Sequence, residues 1–447
     1  MKTYAVCFLL ALCVSLFFTP LIRLIGIRSK KLRKASESRW RKKYANKGGG
    51  IAIFAAFALS VLLFARMDRN LFYILFGSLI IFLVGLVDDL KSLRPQAKLI
   101  SQFIVASLVI FGLKIEGLGS IMGLPGYILS IVWIVGLTNA FNLLDNMDGL
   151  AAGVAFIASI FIFIYSIIGN FQIQAIPFLV LALSGASLGF LRYNFKPAKI
   201  YMGDSGSLLI GYIISTCSIL SIPRVTANLF LILLVPVLIL IVPIFDTLFV
   251  MILRRMNKIP IFQGGSDHTS HRIVRLGIAE DKAVLSLYSV SIFFGLLGIL
   301  AIKHNFAESY IIISLSIICL CVFGLFLGKL QVYQSSTNGI LIGRGKGKSD
   351  GVVINTLYLY KRNVLELIID FLLIITAYIT AFILYYDFKY SSFSTIISGS
   401  IPILIITKLL VFGGMGLYRN IWEYLGLKDL IKLFYITIAG SLLSFIA

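Results

Sequence analysis

The stretch Leu150-Ala151-Ala152-Gly153-Val154-Ala155-Phe156-Ile157-Ala158-Ser159-Ile160-Phe161-Ile162-Phe163-Ile164-Tyr165-Ser166-Ile167-Ile168 carries no charged side chain and no proline. Such a run matches the roughly 17–25 apolar residues that a helix needs to cross a hydrocarbon core. Comparable runs lie on both sides of it, at Ala5–Ile22, Gly50–Phe64, Leu71–Val87, Leu99–Leu113, Tyr127–Leu143, Ile176–Leu191, Ser207–Ser221, Leu229–Ile252, Ala283–Ile302 and Tyr310–Leu327. Three more, Val364–Tyr386, Phe393–Phe412 and Leu430–Ala447, follow a polar stretch rich in Gly, Ser and Lys. Of 447 residues, 59% are hydrophobic and 13% charged, and the mean hydropathy is +0.99, far from the composition of a water-soluble domain. The expected fold is an all-α polytopic transmembrane bundle of about 11 core spans plus about 3 C-terminal ones. The expected organisation is a membrane domain over residues 1–329, a cytoplasmic linker over 330–362 and an accessory transmembrane region over 363–447.

A net charge of +21 would suit nucleic acid if the cations shared one face or alternated with aromatic side chains. They lie instead between apolar runs, so no nucleic-acid partner is expected. With the first residues outside, the great majority of Lys and Arg fall on the inner side, as the positive-inside rule requires. The densest group, Arg23–Lys47, reads first as a topogenic anchor, and attraction to anionic lipid headgroups is compatible with it. The start, Met1–Pro20, resembles a signal peptide but has no small-residue cleavage site, so it is expected to be a retained first span. Cys7, Cys13, Cys217, Cys319 and Cys321 lie in apolar stretches without a CxxC pair, which points to neither a disulfide framework nor a zinc site.

The chain has 19 acidic residues, and several gather beside span ends on the inner face. One group is Gly85-Leu86-Val87-Asp88-Asp89-Leu90, followed by Lys91, Arg94, Lys98 and Gln102. A second is Asn139–Leu150, with Asn142, Asp145, Asn146 and Asp148; a third is Asn194–Ser207, with Lys199, Tyr201 and Asp204. The fourth is Asp267-His268-Thr269-Ser270-His271-Arg272, with Asp246 upstream. Adjacent carboxylates such as Asp88 and Asp89 repel each other, and holding both ionised near a membrane surface requires cations or hydrogen-bond donors. Hard oxygen ligands suit magnesium (Mg2+), which binds through one or two carboxylates plus substrate phosphates. Basic Lys98, Lys199 and Arg272 could take phosphate oxygens. A mixed set of acids and bases of this kind fits phosphoryl transfer, where the protein positions groups and neutralises charge. Taken singly, each acid reads equally well as a solvated loop residue or a helix cap. Asp68 and His304, on the outer side, read as plain loop residues.

At these groups the chain resembles the polyprenyl-phosphate N-acetylhexosamine-1-phosphate transferase family. Gly85–Asp89 with Lys98 resembles its paired-aspartate motif, Asn139–Leu150 its NAxNxxDGxDGL motif, Pro197–Ser207 its PAxxFMGDxGS motif and Asp267–Arg272 its histidine loop. The likeness covers roughly residues 1 to 330. It implies a magnesium site at Asn142 and Asp204, and Lys98 on the pyrophosphate. It further implies Asp88 and Asp89 near the reacting phosphates, with Asp88 placed to orient or deprotonate the lipid phosphate. Asp145, Asp148, His268 and Arg272 would help hold the nucleotide sugar, with Asn194, Lys199 and His271 among the substrate contacts. Tyr201 would stack on uracil; as an alternative it reads as an interfacial aromatic. The implied substrates are a UDP-N-acetylhexosamine and undecaprenyl phosphate, in a bacterial inner membrane with a cytoplasmic active site, and a homodimer is compatible. Asn146 stands where the family has glycine, and asparagine tolerates positive φ. The early basic loop lacks the family's Asp-x-Pro-x-x-Arg-Lys-x-His run, and Lys47, in Asn46-Lys47-Gly48-Gly49-Gly50, is a candidate for a needed cation.

A second resemblance lies in Gly413–Tyr424 with Asp429-Leu430, which is similar to the membrane anchor of polysaccharide-biosynthesis nucleotide-sugar dehydratases. Their catalytic part would need a strand, a GxGxxG turn and a helix, which do not appear before Ala447, so the region reads as a truncated accessory. Gly343–Ser349 is not a P-loop, because Ile342 stands where glycine is needed. Two other classes remain open at this level. A secondary transporter would place its acids near the bilayer midplane in broken helices; an inactive scaffold would only anchor a partner in glycan assembly.

Overall fold

The computed structural model describes residues 2–28, 47–113, 123–168, 173–221, 229–260 and 265–303. Further on it describes 316–317, 320, 322–324, 326–328, 330, 333–336, 339–342, 370, 374, 377–378, 393–415 and 427–446. The basic stretch over 29–46, His304, Gly343–Ser349, most of the expected spans Tyr310–Leu327 and Val364–Tyr386, and the Gly416–Tyr424 part of the second resemblance lie outside the described residues.

The described chain is built of helices, in order α1 (Lys2–Arg28), α2 (Gly49–Phe64), α3 (Arg69–Leu90), α4 (Pro95–Gly112), α5 (Leu124–Leu144), α6 (Leu150–Ile168) and α7 (Ile176–Asn194). There follow α8 (Gly203–Leu220), α9 (Leu229–Ile239), α10 (Ile241–Met256), α11 (Thr269–Arg275), α12 (Glu280–Lys303), α13 (Phe393–Gly414) and α14 (Leu427–Ile446). Among the described residues eight helices are long and apolar enough to cross a membrane: α1, α3, α4, α5, α6, α7, α8 and α12. This is a multi-pass membrane protein. Two compact units divide the chain, one over residues 1–262 and 279–299, the other over 263–278 and 300–447.

In the first unit the bundle is organised around α8, which packs on α2, α3, α5, α6 and α7 and has 94% of its apolar window buried. Its sequence explains that position. Gly203, Ser205, Gly206, Ser207, Gly211, Ser215 and Ser218 are small, and small residues let helices approach closely where lipid provides no hydrophobic drive for association. The closest approach is to α3, where a Cβ on Gly85 would stand 2.5 Å from the Ser205 Cα. From the start of α2, the Gly49 and Gly50 N–H groups donate to the Tyr201 and Met202 carbonyls at 3.0 and 2.9 Å. The first span behaves as an integral part of this unit: Cys7, Ala11, Ser15, Thr19 and Ile22, spaced at helical intervals, are buried, and the Ser15 hydroxyl donates to the Ala186 carbonyl at 2.7 Å.

Three sequence expectations are corrected here. The run Leu229–Ile252 is not one helix; it breaks at Leu240 (φ −104°, ψ 21°) into α9 and α10. Pro243 lacks the N–H that would bond the Ile239 carbonyl, and its ring crowds that carbonyl. Asp68 is more than a loop residue: its side chain caps α3 by accepting the Leu71 N–H at 2.7 Å. Asn146 does not take the positive φ considered for it, since Lys258 is the positive-φ non-glycine among the described residues; in this turn the left-handed conformation falls on Gly149, at +82°. The Asn146 amide instead donates to the Leu143 carbonyl at 2.9 Å.

In the second unit, β1 (Tyr333–Ser336) and β2 (Gly339–Ile342) form a short antiparallel ribbon with Tyr333 opposite Ile342. It lies within the expected linker. In the same unit α13 and α14 pack against each other.

Candidate active site

The first turn of α8 is where the chemistry-bearing residues meet. Helix N-termini leave N–H groups without intrahelical partners and carry partial positive charge, so a carboxylate is favoured there. Asp89, in the last turn of α3, supplies it. Its Oδ1 accepts the Asp204 N–H at 3.0 Å, and its Oδ2 accepts the Ser205 N–H at 3.0 Å and the Ser205 hydroxyl at 2.8 Å. Only 3% of Asp89 is exposed. The Lys47 ammonium stands 3.8 Å from its Oδ1, so this cation, just before the glycine segment, reaches a carboxylate. Glycine is required at 203, where φ is +74° and a Cβ would lie 2.5 Å from Asp89 Oδ2.

Asp204, held by this cap, turns its side chain toward α4. Lys98 stands in the first turn of α4, just after Pro95 starts the helix, and its Nζ lies 2.8 Å from Asp204 Oδ2 and 3.1 Å from Asp88 Oδ2. The other oxygen of Asp88 accepts the Leu93 N–H at 2.6 Å, which closes the short turn between α3 and α4. One ammonium therefore joins carboxylates from two further helices. Two carboxylates and one ammonium leave a net negative charge, while Asp89 and Lys47 offset each other. Such a site attracts another cation.

Asn142, on α5, donates its amide N–H to the Ser207 hydroxyl at 2.9 Å. Ser207 is three residues after Asp204 on α8, hence on the same face of the helix, and the bond draws Asn142 alongside Asp204. Asp145 follows three residues later as the C-cap of α5. Asp148 and Asn194 serve the backbone here. Asp148 Oδ2 accepts the Ala198 N–H at 2.9 Å; the buried Asn194 accepts the Gly149 N–H at 3.0 Å and donates to the Ile200 carbonyl at 2.9 Å. Together they clasp the loop before α6 to the loop before α8. The Tyr201 side chain is half-buried and Lys199 is exposed.

His268, His271 and Arg272 belong to the second unit. His268 is the N-cap residue of α11. The fully buried Arg272 guanidinium donates from Nε to the Asp267 carbonyl at 2.8 Å, and from Nη1 to the Leu327 and Leu330 carbonyls at 2.9 and 3.2 Å. These bonds tie the histidine loop to the segment that precedes the ribbon. Asp246 is buried on α10, in the first unit.

Comparison with known proteins bears on the same residues. The glycosyl transferase family 4 model matches residues 71–222, which contain the paired aspartates, Lys98, Asn142 and Asp204. A probable undecaprenyl-phosphate N-acetylglucosaminyl 1-phosphate transferase of Bacillus subtilis is 35% identical over 326 residues, covering 70% of this chain and 89% of that protein. The chain belongs to glycosyl transferase family 4. Other relatives include a decaprenyl-phosphate N-acetylglucosaminephosphotransferase of Mycolicibacterium smegmatis, 30% identical over 63% of this chain and 77% of its own length. A phospho-N-acetylmuramoyl-pentapeptide-transferase of a Thermoanaerobacter species is 35% identical over 48% of this chain and 73% of its own length. Within this family 4 chain, sequence reasoning did not assign the Gln102 and Asn139 amides, which face each other between α4 and α5. The available signal was a glutamine amid apolar α4 neighbours, one turn after Lys98.

Proposed function

We propose that this chain transfers N-acetylhexosamine-1-phosphate from a UDP-sugar to undecaprenyl phosphate, releasing UMP and starting cell-envelope polysaccharide synthesis. In coarser terms it is a polyprenyl-phosphate sugar-1-phosphate transferase, a reading that rests on family membership. The structural observation that carries it is the bridge from Lys98 to Asp88 and Asp204. It concentrates charged groups from three helices at one point, as phosphoryl transfer requires. The proposed setting is the cytoplasmic face of a bacterial inner membrane, with the basic loops inside.

Direct displacement accounts for the roles. A phosphate oxygen of the acceptor attacks the β-phosphorus of the nucleotide sugar. The bond from that phosphorus to the bridging oxygen breaks, and its electron pair leaves with UMP. Lys98 balances charge on the pyrophosphate as it develops, and preorganised charge of this kind is usually the largest catalytic term. Asp88, half-buried and hinged on Leu93, is placed to orient the acceptor phosphate or take its proton. A covalent intermediate on Asp89 is disfavoured, because its oxygens already accept α8 donors.

The donor set also fits magnesium. The Lys98 ammonium against Asp204 Oδ2 marks that carboxylate as a cation acceptor, and the Asn142 amide, donating to Ser207, has its carbonyl oxygen to offer. Among the described residues no group of three or more His, Cys, Asp or Glu is arranged as a metal cage. Magnesium typically takes one or two protein oxygens and completes its shell with water and phosphate. Asp204 and Asn142 would hold it, and it would supply Lewis-acid polarisation of the pyrophosphate. Purified protein in detergent, given labelled UDP-GlcNAc, other UDP-sugars and undecaprenyl phosphate, tests the reading. Expected are acceptor-dependent UMP release and a labelled lipid product, both lost with chelator and restored by magnesium. No UMP release with any UDP-sugar would overturn it.

A further inference from the structure

Gln102 and Asn139 are the polar pair that the proposed chemistry does not use. Gln102 is 2% exposed, in the middle of α4 among apolar neighbours. Its Nε2 donates to Asn139 Oδ1 at 3.4 Å; in return Asn139 Nδ2 donates to Gln102 Oε1 at 2.5 Å and to the Val135 carbonyl at 2.8 Å. Two amides in an otherwise apolar helix contact add little net stability over well-packed apolar side chains, since hydrogen bonds between membrane helices are individually weak on average. They do impose one register. Apolar faces pack acceptably after a small slide, whereas a reciprocal amide pair closes at a single alignment, as a buried asparagine does in a coiled coil.

The alignment so imposed is that of the site. Lys98 lies four residues before Gln102 on α4, and Asn142 three residues after Asn139 on α5, so each amide sits one helical turn from a site residue and on its face. We infer that Gln102 and Asn139 are a positioning pair that sets the register of α4 against α5 and thereby the placement of Lys98 relative to Asn142. The inference rests on the proposed transferase reading. A one-residue slide is about 1.5 Å along a helix, and a displacement of about 1 Å at reacting groups costs roughly 10²-fold in rate.

The pair makes stability and catalysis separable. Gln102→Met and Asn139→Leu keep side-chain volume; Asn139→Leu leaves the buried Gln102 amide without its Asn139 partner, and Gln102→Met leaves the half-buried Asn139 amide only its bond to the Val135 carbonyl, so both lower the melting temperature, the first more than the second, while the two substitutions together leave no amide without its partner. The experiment measures melting temperature, and kcat for UMP release per folded molecule, in the wild type, both single variants, the double variant and the exchanged pair Gln102→Asn/Asn139→Gln. Expected are singles lowered in both quantities and a double variant whose melting temperature recovers while kcat stays about 10²-fold down. The exchanged pair, which retains the amide contact, should stay within about 10-fold of wild-type kcat. Recovery of kcat together with stability in the double variant would overturn the inference. So would a double variant that does not fold, because the pair would then hold the bundle together rather than align it. An active wild type with either result sinks the positioning role alone; a wild type that releases no UMP sinks the transferase reading and this role with it.

Discussion

Replacing Asp89 by alanine should destabilise the protein, and the size of the loss follows from its contacts. The carboxylate, itself buried, accepts three hydrogen bonds from the first turn of α8, the two from Ser205 buried and the one from the Asp204 N–H partly so. Bonds to an ionised group contribute about 1.5–3 kcal/mol each, but water entering the vacated space would satisfy some of the donors. The expected loss is therefore about 3–5 kcal/mol, the range found when one partner of a buried charged pair is removed. For a bundle of this size that lowers the melting temperature by roughly 5–8 °C. Asp89→Asn keeps one accepting oxygen and turns an N–H2 group toward the other donors, so about half the loss is expected. Asp88→Asn keeps an oxygen for the Leu93 N–H and should cost less than about 1 kcal/mol, yet abolish transfer. The assay pairs thermal unfolding in detergent with UMP release per folded molecule. An Asp89→Ala variant that melts with the wild type would refute the capping argument, whatever its activity.

Lys98→Met should cut kcat at least 10²-fold by removing the charge shared by Asp88 and Asp204; Lys98→Arg should restore little, because a planar fork does not replace a compact ammonium, and steady-state kinetics would expose the error if it did. Asp68→Ala should destabilise by about 1 kcal/mol through loss of the α3 cap while kcat is unchanged, which unfolding and turnover measured together would check. Gly85→Ala should disrupt the contact of α3 with α8 and depress both stability and activity, whereas Gly136→Ala, where a Cβ meets nothing within 4 Å, should be neutral; equal effects in the two variants would show that the close approach at Gly85 is not needed.

The membrane assignment was legible because it depends on run length and composition, as in Leu150–Ile168. Motif order made Asp88, Lys98, Asn142 and Asp204 candidates, and the Lys98 bridge and the bond from Asn142 to Ser207 bring them to one point. Asp89 was legible only as the neighbour of Asp88 in a pair of adjacent acids near the reacting phosphates. Sequence spacing does not tell which of two neighbours points at an adjacent helix terminus, since successive residues on a helix differ by about 100° in direction. Nor could it tell that Asp148 and Asn194 bond to loop backbone.

What the amino-acid order alone determined is the set of properties carried by local runs: lipid as the solvent and the chemical types near each span end. Only the tertiary structure decided which acid caps α8, which share the Lys98 ammonium, and that Gln102 meets Asn139. Each of those choices depends on the rotation and register of one helix against another. In lipid that register is chosen by small-residue contact and a few hydrogen bonds between residues far apart in the chain.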